Sequence, residues 1–229
     1  MLGVVIPAHN EEQTIVATLT SVMSACAHPG LKGEEVCVVV VLDSCTDSTK
    51  ALVQKFDVHI IEANERNVGK VRSYGADHAV KSGARWLAFT DADTTVAHDW
   101  LVQQLGLNAD AVCGTVGVAD WSVLGHLEQF MSAHWDQTYT DRDGHRHIHG
   151  ANLGVKTSAY LFVGGMPPLT CSEDVAFVEA LERLGFKIVW SAATRVFTSP
   201  RLQARAVGGF GDTLAAVASR LMPAQAVNL

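Results

Sequence analysis

A run of seven apolar residues at positions 36–42 limits the fold of this chain more than any other feature of its sequence. The run is rich in valine and shows no alternation between apolar and polar residues. Strands of this kind are typical of parallel sheets that are covered by helices on both faces. We therefore predict a buried, central strand at this position.

The first half of the chain alternates between strand-like and helix-like patterns. Four more strands are predicted there, at residues 2–6, 58–61, 86–89 and 109–116, and the first of them stops at Pro7. Between them, apolar residues at helical spacing predict helices at residues 15–23, 49–56, 67–80 and 100–107, with Asn10 placed to cap the first helix. This order favours a mostly parallel sheet with helices on both faces.

The second half of the chain predicts a different mixture of elements. We expect a helix at residues 123–134, a strand at 150–155, a turn at 163–165 and a helix that begins at Ser172 and ends near residue 184. Strands at 187–190 and 194–198, a loop at 201–211 and a helix at 214–221 follow. Three roles stay open for the stretch from Gly211: packing on the core, forming a homodimer or contacting a membrane surface. The whole chain, residues 1–229, is predicted to form a single α/β domain with a mixed, mostly parallel sheet.

Polar clusters follow three of the predicted strands. They cover residues 8–11, 43–45 and 91–93. In open α/β sheets, ligands bind beyond the carboxyl ends of the strands. If the three strands are neighbours, their clusters line one edge of the sheet, and we expect the functional site at that edge.

Charge and composition exclude several classes of function. The chain has 17 Lys and Arg residues against 24 Asp and Glu residues, a formal net charge of −7, which argues against a nucleic-acid partner. Its longest apolar run is much shorter than the about 20 residues of a transmembrane helix. No G-x-G-x-x-G motif of a dinucleotide dehydrogenase follows the first strand. Five scattered cysteines without C-x-x-C spacing suggest neither a disulfide framework nor a zinc site, and favour a reduced, cytoplasmic protein.

Asp91 and Asp93 are the first candidates for chemistry. Two carboxylates at positions i and i+2 after a strand can converge on a hard cation, and Mg²⁺ or Mn²⁺ prefers such oxygen ligands. The alternative is an ordinary turn at a strand end, where Asp is common. The pattern taken alone leaves both interpretations open.

Glu173 and Asp174 are the second candidates. Ser172 is placed to cap the helix, so both acids fall in its first turn, where the helix dipole favours ionised carboxylates. An ionised carboxylate at the edge of a cleft can act as a general base. Ordinary stabilisation of the helix dipole explains the same pattern.

Basic and aromatic residues give weaker indications. Lys70 and Arg72 lie near the start of a predicted helix, which suits phosphate contact but is also typical of solvated surface. Three histidines at alternate positions, His145, His147 and His149, share one face of an extended segment. A solvent-exposed loop explains them better than a metal site does.

Taken in order, these motifs resemble glycosyltransferase family 2. Residues 4–12 are similar to its opening strand and turn, and residues 41–49 to its DDGSTDGT segment, with Leu42 where the first Asp often stands. Residues 67–72 resemble its N-x-G-x-x-x-A-R region and residues 89–94 its D-x-D metal motif. Residues 150–152 and 163–166 resemble its acceptor-side G-x-N and V-G-G-F patterns, and residues 172–174 its E-D motif. The ordered set covers most of the chain.

The resemblance implies a GT-A fold, Rossmann-like and nucleotide-sugar-binding, and an inverting transfer from a nucleoside-diphosphate sugar with Mg²⁺ or Mn²⁺. Residues 1–116 would form the nucleotide-sugar-binding half, and residues 117–229 the acceptor-binding half. The resemblance assigns the donor to Pro7, Ala8, His9, Glu11, Asp43, Asn67, Lys70, Asp91 and Ala92. It assigns the metal to Asp91 and Asp93, and the catalytic base to Asp174.

Some features depart from that family. Many relatives place a later histidine near the diphosphate, but residues 195–201 contain none. Arg201 or Arg205 could contact the phosphates instead, and His149 could reach the site. The Q-x-x-R-W motif of processive relatives is also absent, which favours a single transfer to a small or soluble acceptor, either a small molecule or a glycan.

Other functions compete with this interpretation. Residues 91–95 fit the D-x-D-x-[TV] motif of haloacid-dehalogenase phosphatases, in which Asp91 would be the nucleophile. That family usually carries its motif early and a paired-Asp motif later, which this chain does not show. A nucleotidyltransferase would need a Gly-rich, basic turn after the first strand. A noncatalytic nucleotide-sugar-binding module stays open.

Overall fold

An eight-stranded mixed sheet organises the protein, whose computed structural model describes residues 1–202 and 210–221. The strands are β1 (Leu2–Ala8), β2 (Val36–Asp43), β3 (His59–Ala63), β4 (Trp86–Phe89), β5 (Thr94–Val96), β6 (Ala111–Val118), β7 (Leu153–Lys156) and β8 (Ile188–Thr198). The helices are α1 (Ile15–Cys26), α2 (Thr49–Val53), α3 (Val68–Lys81), α4 (Trp100–Gly106), α5 (Glu128–Thr138), α6 (Thr157–Phe162), α7 (Glu173–Arg183) and α8 (Phe210–Leu221). Short 3-10 helices cover Pro29–Leu31, Ser122–Leu127 and Gly150–Asn152.

The strand order is β3-β2-β1-β4-β7-β6-β8-β5. Strands β1 to β4 run parallel to one another, whereas β7 is antiparallel to both of its neighbours and β5 is antiparallel to β8. The prediction of a mixed, mostly parallel sheet in a single α/β domain is therefore confirmed. The three strands followed by polar clusters, β2, β1 and β4, are direct neighbours, which places their carboxyl ends side by side.

Strand β2 is buried on both faces as predicted, but it is not central: it lies second from the edge of the sheet, between β3 and β1. Val38, Val40 and Leu42 pack in a cluster with α1 and α4. Cys37, Val39 and Val41 point to the opposite face and pack in a second cluster with α3 and α7. Each face thus removes an unbroken apolar surface from water, which explains why the strand carries no polar alternation.

Two predictions about the first turn were wrong. Strand β1 does not stop at Pro7 but continues to Ala8, with Pro7 in parallel register with Val41. The N-cap of α1 is Thr14 rather than Asn10. Asn10 has a positive φ of 55°, and its Oδ1 accepts a hydrogen bond from the Thr46 backbone N–H at 2.8 Å, so it joins the first two polar turns instead.

The second half differs more from the predictions. The expected strand 150–155 begins only at Leu153, because Gly150–Asn152 form a 3-10 turn. The expected helix 123–134 is divided, since Gly125 has a non-helical φ of 55°. The two expected strands 187–190 and 194–198 are one strand, β8, with a break in register opposite Gly114 and Thr115. The sequence did not predict β5 or α6.

The end of the described chain packs against α5 and the 3-10 helix that precedes it. Leu214 and Ala218 of α8 form a small apolar cluster with Leu127 and Met131. This packing is within the chain, and a role of the stretch from Gly211 in a homodimer or at a membrane surface stays a prediction. Helix α8 begins earlier than predicted, at Phe210. Arg205 lies outside the described residues. Within those residues, none of the helices is long and apolar enough to cross a bilayer.

Candidate active site

A cleft of about 1030 Å³ opens at the carboxyl edge of β1, β2 and β4. It brings together most of the residues that the sequence singled out, namely Pro7, Ala8, His9, Glu11, Asp43, Asn67, Asp91, Asp93, Asp174 and Arg201. The polar clusters after the three strands therefore share one site, as the sheet order requires.

Two predicted donor-binding residues lie elsewhere. The Lys70 Nζ atom is 2.8 Å from Glu65 on the surface, and Lys70 does not line the cleft. Ala92 is buried behind the cleft, where its carbonyl oxygen accepts a hydrogen bond from the Thr18 hydroxyl. A donor contact by either residue stays a prediction.

Asp43 and His9 connect the first two turns at one end of the cleft. The His9 Nδ1 atom is 2.6 Å from the Asp43 carbonyl oxygen, and Arg66 Nη1 is 3.0 Å from His9 Nε2. These partners indicate a tautomer in which Nδ1 donates and Nε2 accepts. The Asp43 carboxylate accepts a hydrogen bond from the Glu65 backbone N–H at 2.8 Å, which holds it at the cleft wall.

Asn67 and Gly69 fix the start of α3 beside the cleft. The Asn67 side chain caps the helix by accepting from the Lys70 backbone N–H, and its amide donates to the Pro168 carbonyl oxygen. A Cβ at Gly69 would lie 2.0 Å from the Pro167 carbonyl oxygen, so only glycine permits this contact. The N-x-G pattern thus joins the first half of the chain to the loop before α7.

Arg201 joins two carboxylates at the other end of the cleft. Its guanidinium is 2.9 Å from Asp93 and makes two hydrogen bonds, of 2.5 and 2.6 Å, to Glu11. Burial raises the pKa of Asp93 to about 6, because the attraction of Arg201 only partly offsets the loss of water and the repulsion from Asp91 and Glu11. Arg201 therefore does not fully compensate the negative charge of ionised Asp93.

Arg72 lies at the centre of the site and contacts three groups. It donates to Asp91 at 2.6 Å, to Glu173 at 2.9 Å and to the Gly150 carbonyl oxygen at 3.0 Å. Burial disfavours its cation, but the attraction of Asp91 and Glu173 outweighs burial and raises the pKa of Arg72. A Cβ at Gly150 would lie 2.5 Å from the guanidinium, so the glycine leaves room for this arginine.

Asp174 and Glu173 have different environments. Glu173 is buried against Arg72, and burial raises the pKa of its carboxyl, an effect that opposes that of the helix dipole. Asp174 is half-buried and faces the cleft, where its Oδ2 accepts from the Gly150 N–H at 2.6 Å and its Oδ1 from the Val175 N–H at 2.8 Å. Ser172 occupies the N-cap position as predicted, but its side chain makes no capping hydrogen bond. Asp174 is therefore the better placed of the two to take a proton from a ligand in the cleft.

Stacked aromatic rings form the remaining wall. Tyr139 lies between Trp135 and His147, with ring centroids 4.3 and 4.2 Å away. The Tyr139 hydroxyl is 3.1 Å from His149 Nε2, and burial lowers the pKa of His149 to about 4. The rings of His145, His147 and His149 stack on one another, so the alternate spacing places them on one face as expected.

Sequence reasoning missed Arg66 and Tyr139 as parts of the site, and treated Arg72 as a weak phosphate candidate. Tyr139 lies at the carboxyl end of α5, and no motif identifies it. The G-x-N pattern has a structural role: buried Asn152 accepts from the Trp100 indole and donates to the carbonyl oxygens of Thr115 and Thr194. These contacts stabilise the irregular pairing of β6 with β8.

The charge of the cleft bears on its ligand. Its described lining has six carboxylates, at Glu11, Asp43, Asp91, Asp93, Glu173 and Asp174, against three guanidinium groups, at Arg66, Arg72 and Arg201. An anionic ligand is repelled by this balance unless a cation accompanies it. The incompletely neutralised Asp93 and the half-exposed Asp91 fit a hard divalent cation.

Comparisons with known proteins agree with this geometry. Residues 3–152 match the family model described as glycosyl transferase family 2. TarS of S. aureus (residues 1-349, complex with UDP) has a TM-score of 0.66 and 16% identity, over 88% of this chain and 61% of that chain. The same protein in complex with UDP-GlcNAc gives 0.65 and 17%, over 96% and 66%. No curated protein sequence matches the chain.

A third similar structure is the mannosyltransferase PcManGT from Pyrobaculum calidifontis, in complex with GDP-Man and Mn²⁺. Its TM-score is 0.61, with 19% identity over 86% of this chain and 56% of that chain. The chain thus spans about three fifths of the length of these structures. Such likeness shows the fold, which is that of GT-A glycosyltransferases, and the family match does not support a phosphatase. The chain belongs to glycosyl transferase family 2.

Proposed function

We propose that this chain transfers a sugar from a nucleoside-diphosphate sugar to an acceptor hydroxyl, with inversion at the anomeric carbon and with a divalent cation. One observation carries the proposal: a single cleft in a family 2 chain holds the Asp91–Asp93 pair, Asp43 and Asp174. Residues 1–116, joined by Arg201, bind the donor, and residues 117–229 supply the acceptor side.

The donor binds across the carboxyl edge of β1, β2 and β4. Asp43, His9 and Arg66 lie together where the nucleoside is expected. The similar structures contain UDP, UDP-GlcNAc or GDP-Man, which supports a donor of this class. Arg201 is the basic group that can contact the diphosphate once a cation occupies its place beside Asp93.

Asp91 and Asp93 are the residues that would hold Mg²⁺ or Mn²⁺. When bound, such a cation offsets the negative charge that grows on the departing nucleoside diphosphate. The similar mannosyltransferase structure contains Mn²⁺, which supports this choice. The six carboxylates of the cleft would repel a diphosphate that binds alone. Electrostatics therefore also requires a divalent cation beside the diphosphate.

Asp174 takes the proton of the acceptor hydroxyl. As that proton moves to an Asp174 oxygen, the acceptor oxygen bonds to the anomeric carbon, and the bond from this carbon to the diphosphate oxygen breaks. The Gly150 and Val175 N–H groups fix the carboxylate and leave it lone pairs for the proton.

The Trp135 and Tyr139 rings offer flat apolar faces against which a small molecule or glycan acceptor can pack. Because the Q-x-x-R-W motif is absent, we propose a single transfer rather than polymer synthesis.

A thermal-shift panel tests the proposal. UDP, GDP and their sugar conjugates are added to the protein with and without Mn²⁺, for the wild type and the Asp93→Asn variant. A ligand at 100 times its Kd adds about 2.7 kcal/mol, which for a chain of this size raises Tm by roughly 5–10 °C. We expect one nucleotide series to give such a shift only with Mn²⁺, and Asp93→Asn to remove it.

Asp57→Asn is the matched control, because Asp57 is exposed and does not line the cleft. It should behave as the wild type does. Equal shifts with and without Mn²⁺ would contradict the metal assignment, and no shift with any nucleotide would contradict the donor class.

A further inference from the structure

Three side chains that the proposed function does not use meet at the opposite edge of the sheet. Cys37 is the second residue of β2, His59 is the first residue of β3, and His78 lies in the last turn of α3. The Cys37 Sγ atom and one ring nitrogen of each histidine all lie within 4.8 Å of one another. Among the described residues, this is the one group of three Cys, His, Asp or Glu side chains that approach so closely.

The fold explains why they converge. His59 of β3 is in parallel register with Val39 of β2, two residues after Cys37. Side chains two residues apart point to the same face of a sheet. That face is the one covered by α3, since Cys37 and Val39 share an apolar cluster with Val71 and Ala79 of that helix. The final turn of α3 therefore brings His78 over the ends of both strands.

The His78 ring has a buried nitrogen that needs a partner. Its Nε2 atom is shielded from solvent and has no hydrogen-bond partner in the described part of the chain. Buried polar atoms in folded proteins nearly always have one. The neighbouring His59 ring, with its centroid 4.6 Å away and tilted by 47°, does not supply it. A bound cation would satisfy this nitrogen.

The donor set selects the cation. One sulfur and two imidazole nitrogens suit Zn²⁺, whereas Mg²⁺ and Mn²⁺ prefer oxygen. In tetrahedral zinc sites, bonds of about 2.3 Å to sulfur and 2.0–2.1 Å to nitrogen place the ligand atoms roughly 3.3–3.6 Å apart. Side-chain rotation that brings the three atoms about 1 Å closer would meet this requirement, and exposed His59 is free to rotate.

Burial raises the pKa of the Cys37 thiol, and a side-chain hydrogen bond with Ser82 offsets this effect only in part, so a cation bound to the sulfur is needed to hold the thiolate. One further feature favours a cation there. The carboxyl end of α3, marked by the Ser82 cap, carries the negative end of the helix dipole. We propose that Cys37, His59 and His78 bind a zinc ion whose fourth ligand is water, joining α3 to β2 and β3.

This site is separate from the cleft. Cys37 and the cleft residue Asp43 lie at opposite ends of β2, roughly 20 Å apart at about 3.3 Å per residue. The two sites also differ in chemistry, because the cleft offers carboxylate oxygens and this edge offers sulfur and nitrogen. Zinc binding here can therefore be measured independently of the metal proposed for Asp91 and Asp93.

Titration of the untagged protein with Co²⁺, a spectroscopic substitute for Zn²⁺, tests the proposal. Bound to Cys37, Co²⁺ should produce a thiolate-to-metal charge-transfer band in the near ultraviolet and visible bands typical of tetrahedral coordination. Zn²⁺ should remove both sets of bands at one equivalent. Cys37→Ser should abolish the charge-transfer band, whereas Cys26→Ser, which removes a half-buried thiol of α1, should keep it.

His59→Ala gives a test that does not threaten the fold, because His59 is exposed. It should weaken Zn²⁺ binding by about tenfold or more. His98→Ala is its matched control: His98 and His28 also place their ring centroids 4.6 Å apart, but without a thiol. Absence of the charge-transfer band, or equal weakening by His59→Ala and His98→Ala, would overturn the proposal. If the protein binds Zn²⁺ but binds no nucleotide, only the proposed function is overturned.

Discussion

The guanidinium of Arg201 lies 2.9 Å from the carboxylate of Asp93, where the proposed function requires a divalent cation. Arg201 also makes two hydrogen bonds to Glu11, so it compensates two buried carboxylates. A divalent cation beside Asp93 would therefore compete with Arg201 for the negative charge of this carboxylate. This competition gives the first prediction.

Arg201→Gln should destabilise the protein without metal and be rescued by Mn²⁺. Removing one partner of a buried ion pair costs about 3–5 kcal/mol, and this substitution takes away the guanidinium that faces both Asp93 and Glu11. Saturating Mn²⁺ should restore most of this loss, so its effect on Tm should be larger in the variant than in the wild type. Denaturant unfolding with and without Mn²⁺ measures both quantities.

Arg195→Gln is the control, since Arg195 pairs with Asp141 on the surface. Exposed ion pairs contribute about 0–1 kcal/mol, and this variant should respond to Mn²⁺ as the wild type does. If Mn²⁺ does not restore the free energy of unfolding that Arg201→Gln loses, the cation and the arginine do not compete.

Asp174→Asn should keep donor binding and lose transfer. The amide cannot accept the acceptor proton, so the rate should fall by about 10²–10⁴, while Asp43 and the Asp91–Asp93 pair stay in place. Donor Kd by calorimetry and product formation under single-turnover conditions separate the two effects. Glu182→Gln, on the same helix but outside the cleft lining, should preserve both. Transfer near the wild-type rate in Asp174→Asn would place the base elsewhere.

Arg72→Ala should be among the most destabilising substitutions in the cleft. It leaves Asp91 and Glu173 without their cation, at a cost of about 3–5 kcal/mol. Arg85→Ala removes a surface ion pair with Glu34 and should cost about 1 kcal/mol or less. Urea unfolding compares the two variants. Similar losses for both would show that Arg72 contributes no more than a surface pair.

His149 should make stability depend on pH. Burial holds its pKa near 4 in the fold, against 6.5 for the ordinary side chain, despite the opposing attraction of Asp91. Between these values the unfolded chain binds a proton that the folded chain does not. Stability from this group is therefore complete above about pH 6.5 and is lost as pH falls towards 4, by roughly 3 kcal/mol in total.

The His149→Asn variant isolates this effect. Its free energy of unfolding should fall less steeply than that of the wild type between pH 6.5 and pH 4, whereas the exposed-site variant His126→Asn should follow the wild type. Parallel curves for His149→Asn and the wild type would show that the imidazole titrates normally in the fold. The rings of His145, His147 and Tyr139 stay in both variants, so they do not explain a difference.

Local pattern predicted most of the elements in the first half of the chain. The apolar run at 36–42 predicted a strand buried on both faces, and polar residues after three strands predicted the edge that holds the cleft. Both follow from rules that act over a few residues, namely apolar periodicity and the direction of parallel strands. The pattern was less informative where contacts between distant residues determine the backbone conformation. Asn10 bonds across to Thr46 instead of capping α1, and Gly125 divides an otherwise periodic helix.

The sequence by itself determined the alternation of strands and helices in residues 1–116 and the position of Asp91, Asp93 and Asp174 near element ends, because local patterns set these features. Only the tertiary structure decided their electrostatics. Arg201 reaches Glu11 across 190 residues, and Arg72 reaches Glu173 across 101. The Cys37, His59 and His78 group is likewise invisible to rules based on cysteine spacing, because two strands and a helix supply one ligand each. Burial and through-space charge depend on which distant residues the fold brings together, and no local pattern contains that information.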